Sequence, residues 1–258
     1  MALTAVVLAG GPPDELVRGD SDAPNKAFLS IAGVPLVARS IAPLRASGRI
    51  GRVIAVAPRS PRTSTALAQA DEVREDGPHI GDSLRSGLAG LPGDEPVLLA
   101  AADLPVLSTV AVDEFVDLAL ASGADVVYAC VSREIHMAQF PSVPHTWAKL
   151  RDGTFCGGGC ALLRPRAFPA LERFLGRLGD ARKNPVRLAR IFGWDVLARY
   201  ATGRLRISDL ERRATRLLDA PVAAVRCSHP EIAVNVDRPG DIALAEQLLA
   251  AEGTNSSA

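Results

Sequence analysis

Hydrophobic positions in the first half of the chain alternate between short solid runs and helical stripes. Thr4 to Ala9 is one such run, Arg52 to Ala57, closed by Pro58, a second, and Pro96 to Ala102 a third. Runs of this length predict strands, and apolar residues at nearly every position predict burial on both faces. Between them, Pro35 to Ala46 carries Leu36, Val37, Ser40, Ile41 and Leu44 on one stripe, and Gly81 to Leu91 aligns Leu84, Leu88 and Leu91. Both read as amphipathic helices. Thr63 to Ala70 predicts a short helix, Asp71 to Glu75 a brief strand, Val110 to Ala121 a helix and Ala124 to Cys130 a strand. Repeated strand–helix units predict a parallel, doubly wound sheet.

The rhythm changes after Cys130. Ser132 to Phe155 holds prolines, histidines and Trp147, and its Asp152-Gly153 turn predicts a hairpin from about Trp147 to Phe155. Cys160 to Leu163 reads as a strand, and Arg166 to Leu178, Arg187 to Tyr200 and Ser208 to Leu218 as helices. Pro221 to Arg226 and Pro230 to Val236 are strand-like, and Gly240 to Ala251 is a terminal helix. With no repeat and no linker, residues 1–252 read as one domain. Residues 131–220 form an insertion in it, and residues 253–258 a disordered tail.

Composition narrows the function. Hydrophobic residues make up 48% of the 258-residue chain and charged residues 22%, which predicts a globular protein. The 29 basic and 29 acidic residues cancel, which counts against nucleic-acid binding. The apolar runs are too short for a membrane span, and the first lacks the basic flank of a signal peptide. Cys130, Cys156, Cys160 and Cys227 form no CxxC pair, so a reduced, cytoplasmic protein is the simplest reading.

Four segments carry candidate chemistry. The first strand stops at Gly10-Gly11, and Lys26 follows fifteen residues after Gly11. A glycine turn lets backbone N–H groups approach a triphosphate, and a lysine adds a mobile cation. The spacing fits neither a P-loop nor a G-x-G-x-x-G fingerprint, so a plain tight turn is the competing reading. Asp103 follows the third strand, at the sheet end where open α/β folds bind ligands. It suits a Mg²⁺ ligand and equally suits a turn fixed by Pro105. Asp237, after Asn235-Val236, is a second candidate carboxylate, with Asp241 as the cap of the last helix. Gly77 to Ser83 opens a helix, where Asp82 and Ser83 serve either a base edge or the helix cap.

Taken together, these motifs resemble a known family. Leu8-Ala9-Gly10-Gly11, Asn25-Lys26-Ala27, Gly33-Val34-Pro35-Leu36, Asp82-Ser83-Leu84, Ala102-Asp103-Leu104-Pro105 and Asn235-Val236-Asp237-Arg238-Pro239 occur in that order. The chain resembles a MobA-like NTP-transferase. That superfamily holds molybdenum-cofactor guanylyl- and cytidylyltransferases, methylerythritol-phosphate cytidylyltransferases and sugar-1-phosphate nucleotidylyltransferases. The match covers about residues 1–130 and 220–250. It implies a GT-A-like (Rossmann-like) three-layer α/β sandwich with a mostly parallel central sheet and a central α+β insertion. It also implies that Leu8, Ala9, Gly10 and Gly11 hold the nucleotide, with Gly81, Asp82 and Ser83 near base or ribose. Lys26 would touch the phosphates, and Asp103 and Asp237 would bind Mg²⁺. The family loop usually carries an arginine soon after Gly-Gly. Here Pro12-Pro13-Asp14-Glu15 intervenes, and Arg18 is the nearest replacement.

The insertion is the expected acceptor side. Gly157, Gly158 and Gly159 would admit a ligand closely, and Arg182 and Lys183 would hold an acceptor phosphate unless they are solvated surface charges. Cys156 and Cys160 have no histidine pair beside them and are assigned no metal, while His229 and Trp194 read as packing residues. The reading is a Mg²⁺-dependent nucleotidylyltransferase acting on an NTP and a phosphorylated small molecule. A GT-A-like glycosyltransferase and a non-catalytic nucleotide-binding module are the alternatives. No segment specifies the base, the acceptor or the oligomeric state.

Overall fold

The computed structural model describes residues 2–13, 15–17, 23–181 and 191–255. Its centre is an eight-stranded mixed sheet, mostly parallel, with helices on both faces. The strands are β1 (Leu3–Leu8), β4 (Ile50–Ala57), β5 (Glu72–Glu75), β6 (Val97–Ala101), β7 (Val126–Ser132), β8 (Ala148–Leu150), β9 (Gly153–Leu163) and β10 (Val222–Arg226). A small separate ribbon pairs β2 (Ser30–Ile31) with β3 (Val34–Pro35). The sheet order is β10-β7-β9-β6-β1-β4-β5, with β8 paired to β9.

The helices are α1 (Leu36–Ala46), α2 (Pro61–Ala66), α3 (Ile80–Leu88), α4 (Thr109–Ser122), α5 (Arg133–Gln139), α6 (Phe168–Ala181), α7 (Trp194–Ala201), α8 (Ile207–Leu218) and α9 (Pro239–Asn255). Side chains alternate along each strand, and both faces are covered, so the apolar runs are continuous. On one face Ala5, Val7, Ala55, Leu98, Ala100 and Val127 pack with Ile41 of α1 and Phe115 of α4. On the other, Val6, Ile54, Val56 and Leu99 pack with Leu84 and Leu88 of α3 and Phe168 of α6. Helix α3 comes close because Gly87 has no Cβ; one there would stand 2.6 Å from Val6 Cγ1.

Several expectations change. The sheet is mostly parallel, as the family resemblance implied, and the exception is β9, which runs antiparallel to β6, β7 and β8. The strand expected at Cys160 to Leu163 is the end of the longer β9, whose three glycines obscure its period. The predicted hairpin is present as β8 and β9. The short helix expected at Thr63 to Ala70 is α2, started earlier by a capping box of Ser60 and Thr63. Pro230 to Val236 is not a strand but a 3-10 turn at Pro230–Ala233 followed by extended chain. A proline cannot donate to a ladder, and Ile232, Ala233, Val234 and Val236 are apolar because each is buried. Of Arg187 to Tyr200, residues 187–190 lie outside the described residues, and the described helix is α7. Trp194, expected to pack, is exposed. Helix α9 continues to Asn255, so Gly253 to Asn255 are helical and only residues 256–258 of the expected tail lie outside the described residues.

Candidate active site

The carboxyl ends of β1, β5 and β6 meet two polar clamps, buried Asn25 and half-buried Asp76. Ala9 extends β1 by one bond to Val56 O at 2.8 Å. The chain then turns at Gly10-Gly11, where Gly11 has φ +121°, a conformation that side chains disfavour. Buried Asn25 grips this turn, its Nδ2 donating to Ala9 O at 3.0 Å and Gly11 O at 3.4 Å. Its Oδ1 accepts from Ala27 N at 3.0 Å and so caps the 3-10 turn Lys26–Phe28. From the other side, Asp76 accepts from Gly11 N at 3.0 Å, and its side chain fills the space a Cβ at Gly10 would need.

Those clamps set the place of Lys26. Its ammonium lies 2.6 Å from Asp103 Oδ2 and 2.5 Å from Asp237 Oδ1, and donates to Val236 O at 3.2 Å. Asp103 sits just past β6, and its carbonyl accepts from Val236 N at 3.1 Å, which ties the two carboxylate loops together. The Asn235 amide bonds Asp237, and Asp241 accepts from the N–H groups of Asp237 at 2.9 Å and Arg238 at 2.8 Å. Asp241 thus fixes the start of α9, not as the cap expected from the sequence but from the third helical position, reaching back to the N–H of Arg238. Burial raises the Asp103 pKa above the ordinary carboxylate range, against the pull of Lys26. Burial alone would lower the Lys26 pKa, but Asp103 and Asp237 together raise it. The lysine therefore stays charged, a fixed cation shared by two carboxylates.

Beside this centre lies a cavity of about 660 Å³. Leu8, Gly10, Gly11 and Ser83 line one end, and Tyr128, Gly158 and Gly159 the other. Ser83 also accepts from Gly77 N at 3.2 Å. Asp82 and Gly81 are not among the cavity's lining residues. The Asp82 carboxylate pairs with Arg85 at 2.8 Å, which lowers its pKa, and Gly81 faces Glu172 of α6. The glycines of β9 make room for the protein's own groups. A Cβ at Gly157 would strike the Tyr128 ring, one at Gly158 would lie 2.8 Å from Ala129 Cβ, and one at Gly159 would lie 2.5 Å from Leu104 Cδ2. Arg18, Arg182 and Lys183 lie outside the described residues.

Sequence reasoning missed Asp76 and gave Asn25 no role. Asn25 lay inside a recognised motif, whereas nothing local marks Asp76, because it meets the glycine turn only through the pairing of β4 with β5. A second cluster lies in the insertion. His136 of α5 is fully buried, its Nε2 is 2.8 Å from His145 Nε2, and both rings meet Trp147 edge-on. Burial, helped by His145, lowers the His136 pKa to about 4.

A family model for the MobA-like NTP transferase domain matches residues 5–191. The chain belongs to that family. A structure from Thermus thermophilus, described only as a hypothetical transferase, is 33% identical over 94% of this chain and 100% of that one, with a TM-score of 0.81. Two more distant structures share the fold. One is CMP:2-keto-3-deoxy-manno-octonic acid synthetase complexed with CTP, at 14% identity, 97% and 100% coverage and TM-score 0.60. The other is 4-diphosphocytidyl-2C-methyl-D-erythritol synthase from Anaerococcus prevotii DSM 20548, at 11% identity, 96% and 99% coverage and TM-score 0.58. No curated protein matches the sequence significantly. Family and fold together make this chain a nucleotidyltransferase. Among the described residues no helix is long and apolar enough to cross a membrane.

Proposed function

We propose that this MobA-like transferase moves an NMP group from an NTP to a phosphorylated small molecule and releases pyrophosphate. The observation that carries the reading is Lys26 held between Asp103 and Asp237 beside the Gly10-Gly11 turn. Two carboxylates within hydrogen-bonding distance of one ammonium form a hard oxygen donor set, which suits Mg²⁺ once phosphate oxygens complete it. Bound there, Mg²⁺ would supply charge neutralisation at the triphosphate.

The chain's own residues do the rest by alignment and charge. Lys26, relieved of one carboxylate, turns its ammonium to the leaving pyrophosphate. Leu8 to Gly11 place the nucleotide against β1. Asp76 holds Gly11 N–H with a carboxylate, so phosphate is unwelcome at that donor and a ribose hydroxyl is a better partner there. An acceptor phosphate oxygen attacks the α-phosphorus as the bond to pyrophosphate breaks. Arg182 and Lys183 are proposed to hold that acceptor; replacing both by alanine should raise its KM and spare NTP affinity.

The test is a thermal-shift panel of the four NTPs with and without Mg²⁺, followed by a metabolite screen for pyrophosphate release. One NTP should stabilise the protein in the presence of Mg²⁺, by about 2.7 kcal/mol at a hundred times its Kd. Release of a nucleoside diphosphate from a nucleotide sugar would point to glycosyl transfer instead, and NTP binding without any product to a binding module.

A further inference from the structure

The cavity beside the glycine turn has a neighbour across the β9 glycines. Tyr128 of β7 lines it and also lines a second cavity of about 300 Å³ between α8 and the sheet. Tyr128 is thus the shared wall of two spaces, and it is half exposed rather than packed into the core. Its ring lies directly against the Gly157 backbone, where any Cβ would collide with it. Gly157 lines the smaller cavity and Gly158 and Gly159 the larger, so three consecutive glycines floor both.

The surroundings are apolar. Beyond Tyr128 the small cavity is walled by Leu150, Phe155, Ile207, Leu210 and Ala223. Its acid, Glu211, is already engaged, accepting from Ala224 N at 2.9 Å. The larger cavity is walled by Ala161, Leu171 and Leu175 as well, with His79 and Ser83 as its polar side chains besides Tyr128. A sugar or polyol body needs a polar partner for each hydroxyl it brings out of water, and besides Thr146, His79 and Ser83 these walls offer few. A flat apolar body needs only area and a ring to stack on.

We propose that Tyr128 determines acceptor specificity, and that the acceptor carries its phosphate on a flat, largely apolar ring body lying on Tyr128 across both cavities. This rests on the reading of the protein as a transferase to a phosphorylated acceptor. Tyr128 acts through its ring face, and Gly157 is required to let the ring lie flat on the strand.

The probes are 1-naphthyl phosphate, with a flat apolar body, and glycerol 1-phosphate, with a polyol body. Each is titrated into the full-length protein by ligand-observed NMR. Naphthyl phosphate should bind at least about tenfold more tightly than glycerol phosphate. Tyr128→Ala should lose about tenfold of that affinity, and Tyr128→Phe should keep it. Gly157→Ala should lose it too while its thermal melt and NTP binding remain normal. Equal affinity for the two probes, or naphthyl binding indifferent to Tyr128→Ala, overturns the proposal. Loss of binding in both Tyr128→Ala and Tyr128→Phe would also overturn it, because the hydroxyl and not the ring would then be recognised. NTP titration of the same proteins keeps the readings apart: normal NTP binding with no naphthyl preference sinks the acceptor assignment alone, and no NTP binding at all sinks the transferase reading.

Discussion

At the scale of single residues, the site is an arrangement of charge. Lys26, Asp103 and Asp237 come from three distant segments, and each holds the others in place. Asp103→Asn removes an anionic ligand and nearly keeps the shape. Turnover with Mg²⁺ is expected to fall about a thousandfold, or roughly 4 kcal/mol of transition-state stabilisation. Steady-state rates of a variant with an unchanged melt check this, and near-normal activity would remove Asp103 from the metal site. Lys26→Ala should weaken NTP binding far more than nucleoside binding, because an ammonium addresses phosphate as a point charge. Calorimetric titration of both ligands decides it; equal losses would mean that Lys26 does not meet the triphosphate. The sequence showed these three residues because each follows or precedes a recognisable apolar run. Asp76 escaped notice because its partner, Gly11, lies 65 positions away and only the sheet joins them.

At the scale of elements, most strands and helices were legible from period alone, with ends shifted by a few residues. The exceptions have physical causes. β9 was read in two pieces because Gly157 to Gly159 carry no side chains to show alternation. Pro230 to Val236 imitated a strand because burial on all sides, rather than pairing, made it apolar. Packing of α3 offers a test. Gly87→Ala gains up to about 1 kcal/mol of helix propensity. The new Cβ would lie 2.6 Å from Val6 Cγ1 and 3.0 Å from Val56 Cγ2, an overpacking that costs about 1–3 kcal/mol. A net loss of about 1 kcal/mol is expected in the urea midpoint, and a gain would show that α3 can step back freely. The α5 helix gives a pH test. An unfolded histidine takes a proton near pH 6.5, whereas native His136 takes one only near pH 4. Between those values the unfolded chain binds the extra proton. Stability is therefore full above pH 6.5 and declines as the pH falls toward 4, by on the order of 3 kcal/mol. His136→Phe should flatten that decline between pH 6.5 and 5 in thermal melts; an unchanged slope would assign the acid sensitivity to other groups.

At the scale of the whole molecule, one departure of the spatial strand order from the chain order bears on synthesis. β6 and β7 are successive parallel strands, yet β9 lies between them, bonded to both and running the other way. Until residue 163 has left the ribosome, the two halves of the sheet must wait about 10 Å apart, the width of two strand spacings. During that interval β6 and β7 present bare edges, open to pairing with any other chain. A protein ended at residue 146 would keep every nucleotide motif up to Asp103, yet it is expected to aggregate or to be digested quickly by protease, in contrast to the full chain. A monomeric, cooperatively melting fragment would show that the first half closes by itself. Synthesis of this enzyme thus carries a window of vulnerability, set by the delay between making β6 and making the strand that seals it. Chaperone capture of the nascent chain should begin after β6 emerges and end once β9 is out.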